Sequence, residues 1–334
     1  MHDIRDRLAE EAAPGVTVLL DWSIDRRFEV VGPEGRPLSR AALSEEILAD
    51  VKTILTRPLG DEPGGQAVNA ARQLHALGAE TTLVGHLDDP IFGSLPVSRY
   101  SMGAPAEILL FELDDGVLMF AAESEDILSW TVERLRTAVG PPVADLLSAD
   151  AVLWTNWAAF PHATEGLSAI GEMVEAGTVL VVDPGAVSTR PEADRVSFLE
   201  ALGAAQQTFD VVVSPNRREA DHLAAAIDEP TDSRRHLAAV LRERAEIEAV
   251  VVHDVPSATV ATADDVFDVP TVEEAIPSRH AGGGDRFSAG VTFGLAAGWE
   301  WAETVTLANA CATHYLVTGD SGTPADLATL VGEG

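Results

Sequence analysis

The sequence predicts an α/β protein: a three-layer fold with a parallel sheet, helices on both faces and a small β-strand lid. Three observations predict it. From residue 126 onward, segments with helical spacing alternate with short apolar, β-branched runs, the pattern of parallel strands joined by crossover helices. Before residue 126 the pattern changes, and the runs 107–113 and 117–121 flank Asp114-Asp115-Gly116, a hairpin signal. The chain has 334 residues and is 46% hydrophobic, enough for one large core. One domain is expected over 1–334, with lid segments near 26–62 and 105–122.

Residues 3–12 read as a short charged helix. Residues 16–20 read as a buried strand that ends at Asp21-Trp22-Ser23-Ile24-Asp25. Ligands of open α/β sheets bind outside the carboxyl ends of strands, so Asp25 is a candidate contact; on position alone a turn or cap aspartate fits equally well. Residues 27–31 can form a strand and 32–37 a turn. A helix is expected over 44–53, with Ser44 as N-cap and Glu45 and Glu46 in its first turn. Gly64-Gly65-Gln66-Ala67-Val68-Asn69 opens a helix that runs through Leu77 and stops at Gly78. The two glycines allow close backbone approach, and Asn69, one turn in, can both donate and accept. A strand follows at 81–84.

Further on, helices are expected over 129–138, 163–176, 192–205, 217–226 and 234–244. Strands are expected over 151–154, 178–182, 211–213 and 249–252, with a short β segment over 258–269. Helices over 286–297 and 301–317 close the chain. Asp25, Asp183, Asn216 and Glu219 all follow predicted strands. They would line up along the carboxyl edge of the sheet.

Composition excludes several functions. Acidic residues number 54 against 22 basic ones, for a formal net charge of -32, and Lys52 is the only lysine. Such a chain does not bind nucleic acid by neutralising phosphates. The acidic residues are spread along the whole chain with no block tail, which favours solvation in high salt over an acidic partner-binding surface. Cys311 is the only cysteine, so no internal disulfide forms. Residues 1–11 carry charge and lack the apolar core of a signal peptide, and no apolar run is long enough to span a membrane. A cytoplasmic protein is expected.

One stretch organises the rest: Ala281-Gly282-Gly283-Gly284-Asp285-Arg286-Phe287-Ser288-Ala289-Gly290. A glycine-rich turn runs into a helix, whose free N–H groups and positive dipole end suit an anion, most often phosphate. Asp285 stands where that anion would be held. It reads as a plain N-cap or as a base that takes a proton from an attacking hydroxyl. The second role suggests phosphoryl transfer to an alcohol.

Taken together, these residues resemble the ribokinase-like (PfkB) carbohydrate kinases over roughly residues 16–318, with a halophilic archaeon as the expected source. Gly282-Gly283-Gly284-Asp285 resembles the family's Gly-Ala-Gly-Asp signature. Gly64-Gly65 with Asn69 resembles its sugar-binding motif, and Asn216-Arg217-Arg218-Glu219 its Asn-x-x-Glu motif. Asn309 matches an asparagine near the family's nucleotide pocket. The resemblance implies that Asp285 is the catalytic base and that Gly282, Gly283 and Gly284 stabilise the transferred phosphoryl group. It implies that Asp25, Gly64, Gly65 and Asn69 hold the sugar. Asn216, Glu219, Arg286 and Asn309 would serve the nucleotide, with Glu219 acting on Mg²⁺ through water. ATP or ADP would be the donor, a small sugar or nucleoside the acceptor, and a homodimer would form through the lid strands.

The departures fall on the nucleotide-phosphate half. The family's Thr-x-Gly-x-x-Gly turn is replaced by His253-Asp254-Val255-Pro256-Ser257-Ala258, which has no glycine. Arg279-His280-Ala281 replaces the Asp-Thr-Thr-like segment and makes a monovalent cation doubtful. Arg286 stands where the family has threonine; a solvated arginine paired with an acidic neighbour is the ordinary alternative to a phosphate contact. Asp88 and Pro90 replace a glycine and an aspartate of the family's Gly-x-x-Gly-x-Asp segment, and Arg190 falls a few residues late for the arginine that follows Asp-Pro. The expected activity is a sugar kinase with an Asp base and a Gly-rich anion hole. A nucleoside kinase of the same family, or a catalytically weak sugar-binding protein with a degenerate nucleotide site, are the alternatives.

Overall fold

The structure is a computed structural model and describes residues 7–8, 13–32, 34–174, 177–272, 279 and 281–331. The first part of the chain contains β1 (Gly15–Leu20), β2 (Ser23–Val31), α1 (Arg40–Leu48), β3 (Leu55–Gly64), α2 (Gln66–Leu77) and β4 (Glu80–Gly85). Next come β5 (Ser98–Ser101), β6 (Ala106–Leu113), β7 (Gly116–Ala122), α3 (Glu125–Leu128), α4 (Val132–Val139) and α5 (Val143–Leu147). The alternating part runs β8 (Ala151–Thr155), α6 (Ala163–Ile170), β9 (Thr178–Asp183), α7 (Glu192–Ala205), β10 (Phe209–Val213), α8 (Arg217–Ala225), α9 (Arg234–Ala245) and β11 (Ala249–Val252). It ends with β12 (Ser257–Ala261), β13 (Val266–Pro270), α10 (Gly283–Ala296), α11 (Trp301–Thr318) and α12 (Pro324–Val331).

Nine strands form the main sheet in the order β13-β12-β11-β10-β9-β8-β1-β4-β5. Its pairs are parallel from β11 to β5. The β11–β12 and β12–β13 pairs are antiparallel and finish one edge. Alternation along the strands sorts their side chains into two cores. Val211 and Val213 of β10 face one layer with Leu202 and Leu223, while Val212 faces the other with Phe287 and Leu307. Helices therefore cover both faces, as the apolar strand runs require.

A second sheet of four strands, β3-β2-β6-β7, is built from the segments expected to form a lid. One of its faces carries a ring cluster, with Phe28 stacked on Phe111 and Phe120 edge-on to Phe111, both at 5.6 Å. The other face, with Asp25, Arg27, Ile108 and Leu110, lines the large cleft described below.

Several elements differ from expectation. The helix expected over 44–53 lies at 40–48: Ser39, not Ser44, is its N-cap and accepts from the Ala42 N–H, while the Ser44 hydroxyl donates back to the Arg40 carbonyl at 2.8 Å. β3 escapes sequence reading because Pro58 and Pro63 interrupt it; an edge strand paired only with β2 tolerates them. The helix expected over 163–176 ends at Ile170, where Gly171 begins a 3₁₀ turn. The helix expected over 129–138 begins at Val132, after Thr131 as N-cap. The edge strand β5 and the last helix α12 were not expected, although Thr323, Pro324 and Asp326 give α12 the signature of a capped helix start. Most of the helix expected over 3–12, and His280, lie outside the described residues.

The acidic surplus gives one prediction. Of 14 ion pairs among the described residues, most involve partly or largely exposed side chains, and such pairs are worth little. They do not offset self-repulsion at a net charge of -32. The midpoint of thermal unfolding should therefore rise steeply from dilute buffer to molar KCl. A chain equally stable in both would refute the high-salt reading.

Candidate active site

The chain crosses between the two sheets four times, and the first two crossings carry candidate residues. Between β1 and β2 it passes through Asp21 and Trp22; between β3 and α2 it passes through Gly64 and Gly65. The crossings touch. A Cβ on Gly65, at φ +92°, would lie 2.9 Å from the Asp21 carbonyl oxygen and from Trp22 Cα, so only glycine fits there. A Cβ on Gly64 would fall 2.1 Å from the Asp25 carboxyl carbon. Gly64 thus leaves the space that the Asp25 carboxylate fills, and Ser23 Oγ donates to Asp25 Oδ1 at 2.6 Å. Leu20, the last residue of β1, is bulky yet sits at φ +88°, so the strand leaves the main sheet through strained backbone.

Asp285 lies in the first turn of α10, with Gly282 as its left-handed N-cap at φ +86°. The Tyr315 ring packs beneath that cap, 2.9 Å from where a Gly282 Cβ would be. A Cβ on Gly283 would meet the Leu316 side chain, and one on Gly284 would lie 3.1 Å from His253 Cε1. Asn69 Nδ2 donates to Asp285 Oδ2 at 2.7 Å, joining two motifs 216 residues apart. Burial raises the Asp285 pKa, against the opposing pull of Arg286 and of the Asn69 and Gln66 side chains. A carboxylate so placed is basic enough to take a proton and anchored enough to aim.

A polar chain continues from that point. Ser288, one turn after Asp285, donates to Asp183 Oδ2 at 2.8 Å and lies 3.0 Å from the Ser214 hydroxyl. Gln66 Nε2 donates to Asp183 Oδ1 at 3.0 Å, and the Gln66 N–H donates to Asp21 Oδ2 at 2.7 Å. Asn216 and Glu219 form a capping box on α8: Asn216 Oδ1 accepts from the Glu219 N–H and Glu219 Oε2 from the Asn216 N–H, each at 2.9 Å. Burial raises the pKa of Asp183 and of Glu219, and Asp285 adds to the effect at Asp183 and Asp183 to that at Glu219. Burial also lifts Asp21 and Asp25 to about 6. His253 is pushed down to about 4 by burial and stacks on Phe287 at 4.8 Å. It fills the place where a phosphate-wrapping turn was sought.

One cleft of about 790 Å³ joins these groups. Asp25, Gly65, Asn69, Glu219, Gly282, Asp285 and Arg286 all line it. Gly64, Gly283, Gly284 and Asn216 stand behind the wall, fixing those that do. Asn309 is apart from the cleft: it is 3% exposed, and its amide donates to the Val269 and Pro270 carbonyls, tying α11 to β13. Arg286 is not a solvated helix arginine, being 2% exposed. Its electrostatic neighbours are Tyr315, Asp285, Arg72 and Glu62, from α11, α10, α2 and β3. That places it near the lid and α2. Sequence reading passed over Asp21, Gln66, Glu123 and Tyr315. Gln66 had a signal, as the residue directly after the double glycine; Tyr315, deep in an apolar helix, had none.

Glu219 provides a test of this electrostatic arrangement. Its folded pKa is raised, so between the ordinary glutamate value and the folded one the native state holds more protons than the unfolded chain. Its contribution therefore lowers stability as pH rises through that window. Glu219→Gln removes the buried charge yet keeps an oxygen for the Asn216 N–H. The variant should unfold about 2 °C higher at slightly alkaline pH, with turnover lowered about 10–100-fold if Glu219 orders a metal through water. Calorimetric scans and a kinase assay read the two effects separately. A destabilised, fully active variant would contradict both.

Comparison with known proteins places the chain. The family model described as prokaryotic ketohexokinase matches residues 49–333. The chain belongs to that family. A ketohexokinase from Haloferax volcanii is 24% identical over 278 residues, 79% of this chain and 73% of that one. Among solved structures, ribokinase from Thermotoga maritima superposes with a TM-score of 0.67 at 14% identity, covering 96% of this chain and 99% of that one. Arabidopsis thaliana ribokinase, solved with ribose and ATP, gives 0.65 at 16% identity over 96% and 99%. A Methanocaldococcus jannaschii nucleoside kinase of the ribokinase family gives 0.66 at 13% over 97% and 100%. At such identities the structures establish the shared ribokinase-like fold, and the family match makes the chain a carbohydrate kinase, transferring a phosphoryl group to a sugar hydroxyl. Among the described residues, no helix is long and apolar enough to cross a membrane.

Proposed function

We propose that the cleft phosphorylates a ketohexose or a sugar of similar size, with a nucleotide, ATP or ADP, as donor. The observation that carries this reading is the 2.7 Å hydrogen bond between Asn69 and Asp285. It joins the double-glycine crossing to the start of α10, so a hydroxyl held near Asn69 lies beside both a base and a helix N-terminus. Asp285 takes the hydroxyl proton as the phosphoryl group arrives. The N–H groups after Gly282 stabilise charge on that group. Asp25, seated by Gly64 and Gly65, and Asn69 hold the other sugar hydroxyls.

The donor phosphates lie toward Glu219 and Asn216. No three His, Cys, Asp or Glu side chains among the described residues converge as metal ligands. Glu219 lines the cleft and offers a carboxylate oxygen, which suits a Mg²⁺ ion that keeps most of its waters, while Asn216 and Asp183 are hydrogen-bonded behind it. Glu219 would order those waters, and the ion would neutralise phosphate charge. The chain then works as one kinase domain in a cytoplasm of high salt. The β3-β2-β6-β7 sheet is its lid, and the exposed Phe120 and Leu109 suit a homodimer through lid strands.

Calorimetry with Mg²⁺ in high KCl, with ATP and ADP in turn, tests the donor half; turnover with fructose tests the acceptor half. Binding of one nucleotide and turnover with it are expected. Folded protein that binds neither nucleotide and turns over no sugar would sink the proposal.

A further inference from the structure

The role of Arg286 is open, although it follows the base directly. It is 2% exposed, yet its Nε and Nη1 atoms have no hydrogen-bond partner among the described residues. Its guanidinium carbon lies 4.0 Å above the Tyr315 ring, and Tyr315 packs beneath the Gly282 cap. Stacking holds the planar fork but satisfies none of its N–H groups, and a buried donor left unmade is costly. Arg72, from α2, is a second guanidinium acting on Arg286, and both line the cleft. Arg72 Nη1 is already spent on the Pro63 carbonyl at 3.3 Å. A chain with 22 basic residues against 54 acidic ones sets two of them together beside its base. Asp285 and Glu62 balance part of this positive charge but accept neither free N–H group, and an anion bound between the two guanidinium groups would accept them.

We propose that Arg286, braced by Tyr315 and aided by Arg72, is a phosphate-binding residue on the acceptor side of the cleft, holding the phosphate oxygens of a ketose monophosphate. The inference rests on the sugar-kinase reading of the cleft. The phosphate has two sources: the reaction attaches it, or the acceptor already carries one. In either case the planar guanidinium suits two oxygens of one phosphate, which an ammonium group would contact only as a point charge.

The test is calorimetric titration, without nucleotide and at constant KCl. Fructose, fructose 1-phosphate and fructose 6-phosphate are added in turn to wild type, Arg286→Met and Arg286→Lys. At least one ester should bind wild type about 100-fold tighter than fructose, as charge-assisted bonds to a buried arginine allow. Arg286→Met should lose that advantage. Arg286→Lys should keep part of it, which separates a binding role from a packing defect should the Met variant fold poorly. Turnover then identifies the source. If fructose is the acceptor, its product is the ester that binds tightly; if an ester is phosphorylated with a higher kcat/KM than fructose, the acceptor brings its own phosphate. Equal wild-type affinity for fructose and both esters would overturn the proposal, as would undiminished ester binding by folded Arg286→Met. The binding readout needs no chemistry, so loss of the kinase reading would show separately, as absence of turnover with every sugar.

Discussion

Asp285→Asn is expected to lower kcat by about 10²–10⁴-fold, the usual contribution of a positioned general base, with sugar and nucleotide still bound. The asparagine keeps the shape of the side chain and can turn its oxygen toward Asn69, so the 2.7 Å link between α2 and α10 survives. What it loses is the capacity to take a proton. Gly282 to Gly284 and the end of α10 are untouched, so the anion hole still acts. The pH profile gives a second reading. Because burial raises the Asp285 pKa, the acid limb of kcat/KM should lie above the ordinary aspartate range, with activity rising as pH rises through it. Calorimetry for binding and a coupled assay for turnover decide the matter. An active Asn variant would remove Asp285 from the role of base.

Gly64→Ala is expected to raise the sugar KM by about 100-fold, roughly what an unmade charge-assisted hydrogen bond in a buried site costs. The new methyl would overlap the Asp25 carboxyl carbon and both its oxygens, at 2.1–2.2 Å. Those atoms end a side chain, so the carboxylate can turn away while the backbone stays. The variant should fold, with a circular dichroism spectrum like that of wild type, and should bind nucleotide normally. Gly65 behaves differently: its neighbours are backbone atoms of Asp21 and Trp22, and its φ is +92°, so alanine there should damage folding itself. An unchanged sugar KM in Gly64→Ala would mean that Asp25 does not touch the acceptor.

The fold and the site were legible to different depths. Strands buried on both faces show themselves as runs such as Val179 to Val182, whose apolar character needs no partner to be recognised. Helices that begin after a glycine, a proline or a capping residue, such as α2, α7 and α8, were placed within a residue or two. β3 was not legible, because a strand with Pro58 and Pro63 is a strand only once β2 lies beside it. The start of α1 was misread because Ser39 and Ser44 carry the same side chain, and only the backbone decides which of them caps.

By itself the sequence determined the layered α/β class, the glycine turns that can receive an anion, and the acidic solvation of the whole chain. Each of these depends on residue type and near-neighbour spacing, which a sequence displays. The tertiary structure alone decided which charged groups meet. It joined Asn69 to Asp285, seated Asp25 in the space left by Gly64, took Asn309 out of the cleft to hold β13, and buried Arg286 against Tyr315. Those outcomes depend on contacts between residues far apart in the chain. An arginine's role is set by what surrounds it in space, since burial and unmade hydrogen bonds make a side chain that calls for a ligand, which its position in the sequence leaves undecided between a phosphate contact and a solvated pair.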